Sequence, residues 1–297
     1  MNKKLLAVLS FIIILNSCKK DDNNNGGGGG TTGGAQITGA VFLSSHTPGV
    51  KHSNYRLDSG IVAFPTAGTS LSFNYSNVSD TAKWSDTLLA PTNLTAFPAA
   101  TYMIGFNQST LGQNISLNRY YQATTSSWNI LGDDYGALNV TVAQGSLSIA
   151  AQAVKATPVQ TLANFPISYG DSIKQTSVSV LNATASATVP ILGSITGPLT
   201  VTQTTTVNSK NFAWGTLKLK GYSDSMSVVV QKYSTDVKTD ISSSNPTISA
   251  LIPTILSQYG GTNGQTVTIT TYRFWAKDKG LVMTLNSNGT ANVTTGL

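Results

Sequence analysis

Glutamate is missing from all 297 residues, and the other scarcities point the same way. Every one of the twelve acidic residues is Asp, there are two His, and Cys18 is the only cysteine. A lone cysteine excludes disulfides within the chain, and most metal sites and acid–base pairs lack their usual parts. Charged residues make up only 10% of the chain, and the stretches Thr87 to Asn118 and Gln175 to Ser209 contain none. A soluble surface normally carries roughly 25–35% charged residues, so Ser, Thr and Asn must solvate this one. No Gly-x-Ser-x-Gly elbow or phosphate-binding loop occurs, and no Gly-x-Gly-x-x-Gly turn follows a strand. The three Arg (Arg56, Arg119, Arg273) are scattered rather than gathered in a stripe, so no nucleic-acid partner is expected. No cofactor is expected either.

What the chain has in plenty is hydroxyl: 34 Ser and 40 Thr. That composition disfavours helical bundles and favours β structure. Alternating or β-branched runs predict strands at Ser70–Tyr75, Thr101–Phe106, Asn118–Thr124, Asn139–Ala143, Ser146–Val154 and Thr176–Leu181. Others follow at Leu199–Val207, Phe212–Leu219, Ser225–Tyr233, Thr266–Lys277 and Leu281–Leu285. Gln144-Gly145, Gly221 to Asp224, Asp278 to Gly280 and Asn286 to Gly289 read as hairpin turns. Ile248, Leu251, Ile252, Ile255, Leu256 and Tyr259 fall at helical spacing, with Pro253 inside and Gly260-Gly261 as a stop. The expected class is all-β, an antiparallel β-sandwich-like architecture with one short helix, over residues 36–297. A division into two sub-domains near 155–165 is the alternative organisation. A membrane barrel is disfavoured, because the strands are too rich in Thr and Ser to form a lipid-facing apolar band.

The N-terminus carries an address. Lys3 and Lys4 precede the apolar run Leu5 to Leu15, which is too short to span a bilayer as a helix and fits a signal peptide over residues 1–17. Leu15-Asn16-Ser17-Cys18 resembles a bacterial lipobox, in which Cys18 becomes an acylated N-terminus. Acyl chains would hold the protein to a membrane, each buried CH₂ contributing about 0.8 kcal/mol. Lys19-Lys20-Asp21-Asp22 resembles the surface-export signal of Bacteroidetes-type lipoproteins, which implies the outer membrane and an outward-facing chain. Residues 18–35, rich in Asn and Gly, read as a flexible linker. Asp21, Asn23, Asn25 and Gly26 match half of a calcium loop, but Thr32 stands where the closing Glu belongs.

Phe165-Pro166-Ile167-Ser168-Tyr169-Gly170-Asp171-Ser172, Trp214-Gly215-Thr216-Leu217 and Tyr272-Arg273-Phe274-Trp275-Ala276 together resemble motifs of uncharacterised β-rich secreted proteins of Bacteroidetes. The resemblance spans about residues 70 to 286 and departs from the pattern at Lys220, where a Pro-Gly turn would begin. It implies fold and location, and no activity. Asp80-Thr81-Ala82, Asp86-Thr87-Leu88, Asp171-Ser172-Ile173 and Asp224-Ser225-Met226 look like the O-glycosylation motif of such exported proteins.

The candidate ligand platform is aromatic and cationic. Alternation puts Leu217 and Leu219 on one strand face and Trp214, Lys218 and Lys220 on the other. In the Thr266 strand, Arg273, Trp275 and Lys277 share a face. If exposed, the two indoles would stack on sugar rings while the cations donate to hydroxyls or carboxylates. A bulge at Gly215 would instead return Trp214 to the core. His46 and His52, around Pro48-Gly49, are expected in a loop, short of the ligands that zinc needs. Asp133-Asp134, between Gly132 and Gly136, reads as an acidic turn or a calcium loop. The sequence thus suggests a lipid-anchored, non-catalytic binding or structural protein rather than an enzyme. Its partners would be the membrane and a glycan or another surface protein. An accessory glycan-binding lipoprotein of an uptake system is the second reading, and a secreted hydrolase the third.

Overall fold

The computed structural model describes residues 36–58, 62–110, 113–142, 145–189, 193–257 and 261–295. The signal segment, Cys18, the linker through residue 35, Gln144, Tyr259 and Gly260 lie outside the described residues. The elements run α1 (Gly39–Ser45), β1 (Lys51–Leu57), β2 (Gly68–Tyr75), β3 (Asp80–Thr87), β4 (Tyr102–Thr110), β5 (Gln113–Ala123), β6 (Ser127–Tyr135) and β7 (Leu138–Val142). Then come β8 (Gly145–Ile149), β9 (Gln152–Asn164), β10 (Ser172–Val189), β11 (Gly193–Leu219), β12 (Met226–Ser242), α2 (Pro246–Ser257), β13 (Thr266–Ala276), β14 (Gly280–Asn286) and β15 (Ala291–Thr295). Strands hold 65% of the described residues, so backbone pairing carries most of the fold.

Neighbouring strands follow the order β3-β1-β15-β14-β13-β12-β11-β10-β9-β6-β5-β4. A bridge between Leu89 and Met103 sets the chain just past β3 against β4, and the antiparallel sheet is nearly closed. The β7–β8 hairpin attaches through β8 to β10. β2 alone among the described strands pairs in parallel, on the last residues of β11. Its approach requires glycine at 215, where a Cβ would lie 1.9 Å from the Leu71 carbonyl oxygen.

The joint between β9 and β10 is thin. One residue pair, Val178 with Thr157, connects their backbones. On either side a glutamine amide stands in for a peptide group. The Gln175 side chain accepts from Thr161 N (2.9 Å) and donates to Val159 O (2.7 Å). Gln152 makes the equivalent pair with Asn182 N and O, at 3.0 and 2.6 Å.

Two interiors lie against opposite faces of the long strands. Val228, Val230, Phe274, Met283, Leu217 and Phe73 belong to an apolar core beneath β2 and β11–β15. Val229 and Trp275 face the other way, toward α1 and the layer made by β4, β5, β6 and β9. Residues 228–230 are therefore buried in succession, whereas from Gln231 to Ile241 only odd positions of β12 are buried. In β11 a bulge leaves Phe212 unpaired between Asn211 and Ala213. One extra residue moves the odd positions to the opposite face. Val201 and Val207 thus look into the second interior, and Leu217 and Leu219 into the first.

Helix α2 forms where the apolar spacing places it. Asn245 Oδ1 accepts from the backbone N–H groups of Thr247 (3.0 Å) and Ile248 (3.3 Å), and Pro246 occupies the first turn. Ile248, Ile252 and Leu256 close the far end of the second interior against Leu181, Val201 and Ile241. Helix α1 is a second helix where the sequence suggests only one. Its seven residues carry no side-chain cap, and packing of the fully buried Phe42 holds it.

Candidate functional site

The six platform residues do not form one surface. Trp275 is completely buried, with Phe42, Phe165 and Trp128 rings at centroid distances of 5.7, 5.9 and 6.1 Å. Trp214 lies beside it across Val229, half-buried, and its indole N–H has no hydrogen-bond partner among the described residues. The two indoles do share a face, but that face is roofed by α1, β6 and β9. Lys218, Lys220 and Lys277 point to solvent, and Lys220 pairs with Asp80. Asp80 also binds Lys83 at 3.1 Å, and these lysine contacts hold its carboxyl well below the usual range. The bulge lies at Phe212 rather than at Gly215 on the β12 side. Of the six, Lys220 lines an open groove beside Asp80 and Trp84, and Arg273 reaches an interior cavity.

That cavity, of about 250 Å³, lies between the β5–β6–β9 layer and the inward face of β10–β13. Strand alternation builds its floor. In β11 the inward series is Val201, Gln203, Thr205, Val207; in β12 it is Tyr233, Thr235, Val237; in β13 it is Ile269, Thr271, Arg273, Trp275. Each series has hydroxyl, amide or guanidinium groups near the middle of the sheet and apolar groups toward its ends. A polar belt therefore crosses an otherwise apolar interior. Ser177 and Ser179 extend it into β10, and Gln160 faces it from β9.

Two guanidinium groups border the cavity, and they differ. Arg119 sits opposite Asp133 in the β5–β6 ladder and binds it through both ends, Nε to Oδ1 at 2.7 Å and Nη2 to Oδ2 at 3.0 Å. Burial opposes the Arg119 charge, but the Asp133 carboxylate outweighs it and holds the guanidinium above its ordinary pKa. Arg273 has no acidic partner among the described residues. Its guanidinium lies over the Tyr233 ring, 3.7 Å from the centroid, and Nη1 donates to the Leu162 carbonyl at 3.0 Å. Burial pulls its pKa down, opposed by the neighbouring Tyr233 and Tyr121, yet a guanidinium stays charged in proteins. Arg273 is enclosed by protein and keeps residual exposure through the cavity.

Its position is fixed by a buried chain of hydrogen bonds. Trp275 Nε1 donates to Gln231 Oε1 (3.2 Å), and Gln231 Nε2 donates to Ser209 Oγ (2.8 Å) and to the same Leu162 carbonyl (3.3 Å). Gln160 Nε2 donates to the Tyr233 hydroxyl at 3.0 Å, which in turn donates to Thr161 O at 3.3 Å. Burial raises the Tyr121 and Tyr233 phenols above their ordinary range, so both stay neutral at neutral pH.

The remaining candidates lie elsewhere. Asp133 and Asp134 are in strand β6 rather than a turn, and Asp134 accepts from Asn93 Nδ2 at 3.1 Å. His46 is buried rather than solvent-facing, stacked on Phe42 at 3.7 Å. Its Nδ1 meets the Phe42 carbonyl at 3.0 Å, while His52 Nε2 donates to Ser45 O at 2.7 Å. Burial and the adjacent His52 lower the His46 pKa to about 3 against the pull of that carbonyl, so the ring is neutral. Among the described residues no three His, Cys, Asp or Glu stand together as a metal site. The hydroxyl residues Thr81, Thr87, Ser172 and Ser225 of the four Asp-Ser/Thr motifs are all exposed.

Strand phase was the signal for the cavity. Gln203 and Thr205 fall on the face of Leu199, Val201 and Val207, and inward polar residues within an apolar phase mark a wet interior. The roof left a weaker trace, because β6 and most of β9 lack clean alternation. No family model, no curated protein and no solved structure matches this chain.

Proposed function

We propose that this chain is a lipid-anchored, surface-exposed binding protein that performs no chemistry and holds a small molecule in the interior cavity. One observation carries the binding part: an interior space of about 250 Å³, walled by a belt of hydroxyl, amide and guanidinium groups inside an otherwise apolar fold. Liquid water takes about 30 Å³ per molecule, so the space suits roughly eight waters or an organic molecule of about ten non-hydrogen atoms. The carboxylate at its edge, Asp133, is engaged at both oxygens by Arg119, which favours holding a ligand over proton transfer. The anchoring part rests on Cys18 and the segment before it, and the export part on the residues just after it.

Thermal shift of the protein against monocyclic acids, amides and sugars of that size tests the binding part. At least one class should raise Tm, and Thr205→Phe, which fills the cavity, should remove the effect. No response to any class would refute the reading. Metabolic labelling with a clickable palmitate analogue should mark the protein, and Cys18→Ser should abolish the label.

A glycan-binding role would have to use another place than Trp214 and Trp275. The groove between Trp84, Asn54, Asp80 and Lys220 favours it, with an indole held by a 3.0 Å bond to Asp86. Loss of glycan-array signal in Trp84→Ala would support that second reading.

A further inference from the structure

Among the described residues, three charged side chains border the cavity: Arg119, Asp133 and Arg273. The first two neutralise one another through a two-bond pair, leaving one positive charge, on Arg273. An uncompensated buried charge is strongly unfavourable. Stacking on Tyr233 and the Leu162 carbonyl offset part of this, but a guanidinium offers five N–H donors in a planar fork suited to a carboxylate. The residues that hold it add no negative charge: Gln231, Gln160 and Tyr233 are neutral. On both sides of the polar belt the walls turn apolar, with Leu181 and Val201 toward α2 and Trp128 and Leu162 toward α1.

We propose that the cavity receives a small organic monoanion, a carboxylate on a flat or short apolar body, gripped by Arg273. This rests on the cavity being the binding site, and it narrows the guest to one charge class. The carboxylate supplies the partner that Arg273 lacks, and the apolar body lies between the belt and the flanking side chains. Arg273 then trades stability for binding, since an apolar residue in its place would relieve the buried charge.

Isothermal titration of the full-length lipidated protein in a non-ionic detergent compares sodium benzoate, benzamide and inorganic phosphate. Benzoate should bind at least tenfold more tightly than benzamide, and phosphate should not compete with it. Arg273→Met should melt at the same or a higher temperature and lose the preference for benzoate. Equal binding of benzoate and benzamide would overturn the charge assignment, and phosphate binding as tight as benzoate would overturn the apolar body. Should neutral sugars or amides stabilise the protein while benzoate does not, the cavity remains the site and the anion assignment is wrong. If no probe of any class binds, both fail. If Arg273→Met does not fold, Arg273→Lys keeps the charge without the fork and should weaken benzoate binding, and the wild-type ratio decides alone.

Discussion

The same four strands serve two interiors that differ in kind. On one side of β11–β14, Phe274 meets Phe73 and Tyr75 edge-on at 5.4 and 6.0 Å, and Val228, Val230 and Met283 fill the space around it. On the other side, three of these strands, β11–β13, together with β10, line a cavity with a charged group in it, and Arg273 of β13 is the immediate neighbour of Phe274. The sheet does not distinguish its faces through backbone pairing. The difference comes from inward side chains and from what covers them: β2 and β15 close tightly over valine and phenylalanine, whereas β5, β6 and β9 span a belt of threonine, glutamine and arginine. A single extra residue at Phe212 lets β11 serve both.

If the first interior is close-packed, truncation there should have the largest effect. Phe274→Ala should cost about 3–5 kcal/mol in urea unfolding. A loss below about 2 kcal/mol would mean that the neighbours collapse into the space, which close packing forbids.

The second interior should instead show its polar character through pH. Neutral His46 sits in the roof with a pKa of about 3, against about 6.5 in an unfolded chain. The unfolded state therefore takes up a proton first on acidification. The His46 contribution is fully present above pH 6.5 and is lost as pH falls toward 3, at about 1.4 kcal/mol per pH unit. His46→Phe should flatten that part of the stability profile. An unchanged slope would show that the ring protonates freely in the fold.

The thin joint beside the cavity is the next point of contrast with the long β11–β12 ladder. Gln175→Ala removes two hydrogen bonds of about 1 kcal/mol each, so a loss of about 1–2 kcal/mol is expected. Amide exchange at Thr161 should quicken while exchange at Thr204 and Thr206 stays slow. Uniform protection across both joints would contradict it.

The smallest effect belongs to the cavity wall. Ile269→Val should cost less than about 1 kcal/mol, below the middle of the range for that substitution, because the removed methyl borders open space. A cost equal to that of a similar change at Val228 would erase the distinction between the interiors.

Much of the sheet was legible in the sequence, and little of the site. Ser70–Tyr75 and the start of Thr266–Lys277 carry period-two patterns, Thr101–Phe106 is a short apolar run, and the turns at Gly221, Asp278 and Asn286 carry turn residues; all fold accordingly. α2 showed through its i, i+3, i+4 spacing despite Pro253. β1, β3, β6 and β15 were hidden because their alternation is broken by polar residues on both faces, as in Asp-Thr-Ala-Lys-Trp-Ser-Asp-Thr of β3. Leu199–Val207 and Phe212–Leu219 read as two strands because polar Asn208 to Asn211 interrupts the pattern, yet they form one strand of 27 residues. For Trp214 and Trp275, period two told which residues share a face. It could not tell that the face is covered, since the cover comes from residues more than fifty positions away. Alternation places Arg273 on the face of Trp275, but the rings it lies over, Tyr233 and Trp128, come from other strands.

Three arginines make the decisive measurement simple. In a proton–nitrogen NMR correlation of the arginine Nε–Hε groups, Arg56, Arg119 and Arg273 give three signals, assigned with Arg→Lys variants. On titration with benzoate the Arg273 signal alone should move and saturate, while Arg119, held by Asp133, and surface Arg56 stay in place. Movement of Arg56 alone, equal drift of all three, or no movement at saturating benzoate would contradict an unpaired cation waiting inside the sheet for an organic anion.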